Sequence, residues 1–313
     1  MIIVRPADVP PNETDATAAV LTASNVTETD AGEGEWASGT TYAEGAIVSV
    51  LGTTQRRYES LTSGNTGNDP TTDDGTNWLD LGATNRWRMF DGGTETLTRQ
   101  AESIDVTLEP AGLVNALAFF NVNANQIQVT VTSPGASEAV YDQTYELLIG
   151  VEESNWWSYF FGSVQSTIDP TRDLVLLNLP QYLDPTITVT ISRGDAYETD
   201  PDAQPSCGQL IVGRQQIFGS TLYGSSIGIK DYSRKEPDNF GNFTVVERRF
   251  SKIAEFDVIL NTQDVAKLQR ALAERRAIPT VYIGSETACL DCADQIHEET
   301  LIYGYYRDFN VVL

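Results

Sequence analysis

"NQIQVTVTS", residues 125–133, alternates between polar and apolar side chains from Gln126 to Thr132, with Ile127, Val129 and Val131 on one side. A period of two sends alternate side chains to opposite faces, so the stretch predicts a strand with one dry and one wet face. "SIDVTL" (103–108) and "TITVTISR" (186–193) repeat the pattern with the same enrichment in β-branched residues. One wet face implies antiparallel pairing. Between these runs sit "SPGAS", "DPTRD" and "NLPQYLDP", clusters of turn-forming residues. The expected fold class is therefore mainly β, with a central antiparallel β-sandwich of jelly-roll-like character over 83–205. "WWSYFF" at 156–161 reads as a core strand, with an exposed aromatic rim as the alternative.

Working outward toward the C-terminus, one helix is predicted over 262–277. Asn261 or Thr262 can cap it, Asp264 suits its first turn, and Val265, Leu268 and Leu272 fall at helical spacing. Arg270, Arg275 and Arg276 gather toward its far end, and Pro279 prevents continuation. Strand-like segments flank it, so 206–313 is expected to be a β-rich α+β unit carrying one helix.

Toward the N-terminus, an arm with the first strands is expected over 1–35, followed by a small aromatic β-module over 36–82. That segment holds Trp36, Tyr42, Tyr58 and Trp78 among Gly, Thr, Ser, Asn and Asp. So short a stretch cannot bury four large rings in a deep core, which leaves some of them for the surface. An exposed ring flanked by hydroxyls and amides suits the apolar face of a pyranose. The alternative is that the rings simply form the core of the module.

The chain has 20 Lys plus Arg against 44 Asp plus Glu, a net of −24 over 313 residues, and no Lys precedes Lys230. Such a field repels a phosphate backbone and argues against nucleic acid as a partner. The longest apolar block, "LVNALAFF" (113–120), is far short of a membrane span, and "IIVRPADVPP" after Met1 is broken by Arg5 and Asp8. A soluble product of the cytoplasm, without membrane insertion, is the expectation.

Several patterns mimic chemistry. "GSSIG" (224–228) matches the nucleophile elbow with Ser226 at its centre, but a loop follows where a helix is required, and His297 is the only histidine. Cys207, Cys289, Cys292 and His297 make a possible zinc set. A Cys289–Cys292 disulfide and plain thiols are the alternatives, and no metal is favoured. Asp69, Asp73 and Asp74, and likewise Asp200 and Asp202, read as solvated turns rather than as paired catalytic carboxylates or a calcium loop. The chain is thus expected to be no enzyme and to carry no cofactor.

Two resemblances rest on particular residues. Trp36, Tyr42, "EGAIV" (44–48), "RRYES" (56–60), "GNDP" (67–70) and Trp78 resemble the small chitin-binding-type carbohydrate-binding modules, with Ala46 where that family usually has Asp. The resemblance implies a fold whose aromatics divide between a small core and a sugar-stacking surface. "TNRWRMFDG" (84–92), "VNALAFFNV" (114–122), "DYSRKEPDNFGNF" (231–243) and "LIYGYYRDF" (301–309) resemble tail-associated virion structural proteins of tailed bacteriophages, in which such a module is often inserted near the start of a β-rich body. The C-terminal segment is similar in pattern to distal tail and baseplate adaptor proteins.

What these resemblances imply is a structural component of a phage tail, in the tip, baseplate or adaptor region. It would be made in the host cytoplasm, pack as a homo-oligomer with other tail proteins, and offer Trp36, Tyr42, Tyr58 and Trp78 to a host-surface glycan. Two other readings compete. One is a polysaccharide-degrading enzyme with a targeting module, and the other is a module kept only as a protein contact.

Overall fold

The computed structural model describes residues 1–7, 9–10, 19–52, 54–136, 138–147, 172–193, 204–222, 226–237, 243–248, 250–255, 257–275, 278–285 and 302–306. The chain forms two compact units, Pro6–Arg214 and Met1–Arg5 with Gln215–Leu313. It is mainly β, and nearly all of its strand pairs are antiparallel.

The larger unit is built on a five-stranded sheet in the order Ala139–Glu146, Gln126–Thr132, Thr186–Ser192, Ser103–Pro110 and Ala19–Ser24. The three alternating runs that predict the sheet are its three inner strands. In register, Ile127 and Ile104 flank Ile191, and Val129 and Val106 flank Val189, so one face is a continuous apolar layer. Opposite it, Ala116–Phe120 pairs with Leu174–Leu176 on one side and with Gln209–Ile217 on the other, where Phe119 meets Leu210 and Leu117 meets Val212. Leu117, Phe119, Leu176, Leu210 and Val212 from this layer join Ile104, Val106, Ile127, Val129, Val189 and Ile191 in one buried core. Two antiparallel layers sharing one core make a β-sandwich.

Every residue of Ala116–Phe120 is buried, which explains why "ALAFF" lacks the alternation of a half-wet strand. Close packing also demands glycine at 208, where a Cβ would stand 2.5 Å from the Thr94 carbonyl oxygen.

Boundaries differ from the sequence reading in three places. Ala19–Ser24 pairs with Ser103–Pro110 and so belongs to the sandwich, not to a separate N-terminal arm. Arg214, not residue 205, closes the larger unit, because Gln209–Ile217 supplies an inner-layer strand. Met1–Arg5 belongs with the C-terminal unit, where Ile2–Pro6 pairs with Thr280–Ser285.

In the smaller unit the helix spans Thr262–Glu274, shorter than predicted. Asn261 precedes it in extended conformation, with its carbonyl accepting the Asp264 N–H at 2.8 Å, and Lys267 pairs with Asp264. Leu268, Ala271 and Leu272 bury its apolar stripe against Ile3, Phe218 and Tyr282. The helix stops when Arg275 leaves helical geometry and its carbonyl accepts the Ile278 N–H. Thr280–Ser285 pairs onward with Ile302–Tyr306. The predicted strand at 156–161 lies outside the described residues.

Candidate functional site

Between the adjacent strands Ala19–Ser24 and Ser103–Pro110 the chain leaves the sandwich to build the aromatic module. Its sheet runs Gly34–Glu35, Ile47–Val50, Arg56–Ser60, Trp78–Ala83, with the first pair parallel. The departure and return are fastened together. The Asn85 N–H donates to the Glu28 carbonyl at 3.0 Å, the Asn85 side chain donates to the Thr27 and Arg99 carbonyls, and Arg86 pairs with Glu28. These bonds come from a 3-10 turn, Asn85–Phe90, which the sequence reading missed because "NRWRMF" has no helical cap or sufficient length.

The four singled-out rings do come together, but chiefly as a core. Val48, Tyr58 and Trp78 form the buried centre, with Trp36, Tyr42 and Val50 packed against them. Trp78 is 2% exposed and Tyr58 6%. Tyr42 meets the Trp78 ring edge-on, with centroids 5.4 Å apart, and the Trp78 indole N–H donates to the Asn68 carbonyl at 3.0 Å. Ala37 donates its N–H to the Tyr42 hydroxyl at 2.8 Å. The expectation that Trp78 and Tyr58 would be offered to a glycan alongside Trp36 and Tyr42 is therefore corrected, since both are buried. With a two-layer depth, rings on one face of a four-stranded sheet can be sealed by neighbouring rings and loops, even in a short segment. Trp36 and Tyr42 are half-buried.

The outer face of the same sheet carries aliphatic side chains instead. Ile47, Glu59 and Leu79 lie in register across three strands, and Ile47 is 36% and Leu79 48% exposed.

The acidic loop serves its own backbone. Asp73 accepts from the N–H groups of Gly75, Asn77 and Trp78 and from the Asn77 side chain; Asp69 accepts from Thr71, and Asp74 from Thr76. Desolvation alone would raise the Asp73 carboxyl, but these donors outweigh it and hold its pKa below the ordinary value. That arrangement fits the solvated-turn reading.

Glu33, Asp30, Arg57 and Arg88 tie the module's base together. Arg57 binds Glu33 through two guanidinium nitrogens and reaches Asp30 at 3.5 Å, and Arg88 also pairs with Asp30. Partial burial pushes the Asp30 carboxyl up, yet the Arg88 hydrogen bond and the charges of Arg88, Arg57 and Arg99 prevail and depress its pKa. A depressed carboxylate contributes stability that is present above its unfolded pKa of about 3.9 and is lost as pH falls through the folded value. Expected is a loss of stability as the pH falls below about 4, the unfolded carboxylate value, that Asp30→Asn reduces in slope, read by urea denaturation as the pH is lowered through that value.

Cys207 sits fully buried in the sandwich core, where burial pushes its thiol up to about 12. A neutral thiol packed among apolar groups is a poor nucleophile. Cys289, Cys292 and His297 lie outside the described residues. Alkylation of the native protein followed by peptide mapping is expected to leave Cys207 unmodified until denaturant is added.

Ser226 opens the strand Ser226–Asp231, paired with Phe250–Glu255, instead of standing at a strand-to-helix turn. Beyond it, Arg234–Pro237 pairs with Phe243–Val246. Both pairs are two-stranded ribbons, and Ile229 (70%), Phe250 (60%), Val245 (55%), Tyr232, Ile253 and Val246 are exposed on them. These exposed apolar positions went unnoticed in the sequence, although the β-branched residues of "FTVVERRFSKIAEFDVIL" mark the strands.

No protein-family model and no curated protein matches the chain. Among solved structures it is similar to reduced XRCC1 bound to the DNA pol beta catalytic domain, at 12% identity over 41% of this chain and 85% of that one, with a TM-score of 0.28. It is also similar to an F5/8 type C domain from Bacteroides fragilis, at 9% identity over 42% and 82%, with a TM-score of 0.26. A third likeness is to CpGH89CBM32-6 produced by Clostridium perfringens, at 11% identity over 51% and 94%, with a TM-score of 0.25.

Proposed function

We propose that this chain is a non-enzymatic structural component of a bacteriophage tail, one that works by packing against other virion proteins. The observation that carries the proposal is the pair of ribbons over 226–255, whose large apolar side chains are exposed to solvent. A two-stranded ribbon is marginal by itself in water, and exposed Ile and Phe gain free energy only when another surface covers them. The aliphatic row Ile47 and Leu79 on the module's outer face supports the same role, with the module acting as a protein contact.

A second reading keeps weak glycan contact as well, through Trp36 and Tyr42 only, since these two rings retain solvent-accessible surface. Repetition of the module around a symmetric tail would raise the avidity of such contacts.

Mass spectrometry of density-purified phage particles tests the main reading. Stoichiometric recovery of the chain in intact virions is expected, and its absence from particles, with the chain free in the host lysate, would end it. Release of reducing ends from chitin or peptidoglycan by the purified chain would favour the enzyme instead. A glycan array comparing the wild type with Trp36→Ala tests the second reading, which fails if neither binds.

A further inference from the structure

Charge is divided unevenly between the two compact units. Pro6–Arg214 holds 8 Lys plus Arg against 30 Asp plus Glu, a net of −22, whereas Met1–Arg5 with Gln215–Leu313 holds 12 against 14, a net of −2. Within the second unit, residues 226–255 alone contain six of the cations, Lys230, Arg234, Lys235, Arg248, Arg249 and Lys252, against five acids. Lys230, Arg234, Lys235 and Arg248 are exposed there, with Lys235 directly across from Val245 and Arg234 from Val246, and Ile229, Tyr232 and Phe250 are exposed on the same segment.

The five-stranded sheet has the opposite character. None of its strands, Ala19–Ser24, Ser103–Pro110, Gln126–Thr132, Ala139–Glu146 and Thr186–Ser192, contains Lys or Arg. Its wet face follows from the register. Asp105, Thr107 and Glu109 alternate with the core residues of one strand, Thr188 and Thr190 with those of the next, then come Gln128 and Thr130, and finally Asp142 and Glu146 on the edge strand. Four carboxylates thus stand on a face of threonine and glutamine side chains, and the threonine methyl groups add apolar contact to it. Two such faces repel each other, but an apolar ribbon studded with cations complements one.

Resting on the assembly role proposed above, we propose that the ribbon 226–255 of one copy docks on the wet face of the five-stranded sheet of a second copy. The two surfaces differ, so the contact is heterologous and propagates from copy to copy, closing into a ring when the rotation allows.

Sedimentation of the full chain tests this. At low ionic strength the wild type is expected to sediment as more than one copy. Its association should weaken at least about tenfold when salt shortens the Debye length from about 10 Å to about 3 Å. The ribbon variant Lys230→Glu/Lys235→Glu and the face variant Asp142→Lys/Glu146→Lys should each be monomeric alone, and associate when mixed, since the mixture restores opposite charges across the contact. All four positions are exposed, so both variants retain the fold. A wild type that stays monomeric at low salt, single variants that still associate, or a mixture that does not would each overturn the docking. Recovery of the chain in virions would stand unaffected, so failure of the docking is separable from failure of the assembly role.

Discussion

Trp78→Ala is expected to unfold the aromatic module while leaving the sandwich intact. The indole is 2% exposed, contacts the Tyr42 ring edge-on and donates to the Asn68 carbonyl, and Trp78 opens its strand with its backbone N–H held by Asp73. Removing a buried aromatic of this size costs about 3–5 kcal/mol through lost burial and the cavity left behind. A core of three buried residues with three partial neighbours has little redundancy to absorb that loss. Near-ultraviolet circular dichroism and limited proteolysis around 30–85 would show it, and a variant with an unchanged proteolytic map would refute the placement of Trp78 in the core. Trp36→Ala, at a half-buried ring, should cost much less. It follows that loss of glycan binding in Trp78→Ala would be uninformative about stacking, whereas the same loss in Trp36→Ala would count.

Gly219→Ala is expected to destabilise the C-terminal unit by about 3 kcal/mol or more, at or above the usual range for overpacking. An added Cβ would stand 2.0 Å from the Ile259 carbonyl oxygen and 2.8 Å from Leu260 Cδ2, and the backbone has φ +54°. The obstacle is backbone, because Ser220–Thr221 pairs with Val258–Ile259 immediately beyond it. The positive φ adds about 1 kcal/mol of its own. Denaturation followed by hydrogen exchange should show the loss concentrated around Phe218 and the helix Thr262–Glu274, which share a core. Unchanged protection in those segments would contradict the close approach.

The sandwich was the most legible part of the chain, because Ile127, Val129 and Val131, like their counterparts in Thr186–Ser192 and Ser103–Pro110, obey a period of two that only a half-wet sheet rewards. Ala116–Phe120 was opaque for the opposite reason: a strand dry on both faces has no period to read. The module's existence was legible in the spacing of its aromatics, but the fate of each ring was not. Whether Trp78 faces inward depends on the pairing of Ser60 with Trp78 and on the Asn68 carbonyl that satisfies the indole, and both are tertiary facts. Arg275 shows the same limit at the helix end, where a predicted last-turn cation instead marks the residue that leaves the helix.

The bond between Asn85 N–H and the Glu28 carbonyl means that some fifty-odd residues form an excursion whose two feet stand side by side. Closing a loop costs only about 0.6 kcal/mol more for each doubling of its length. The sandwich is therefore nearly indifferent to the length of what is carried on those feet, and that cargo can be lengthened or trimmed while Ala19–Ser24 keeps its pairing with Ser103–Pro110.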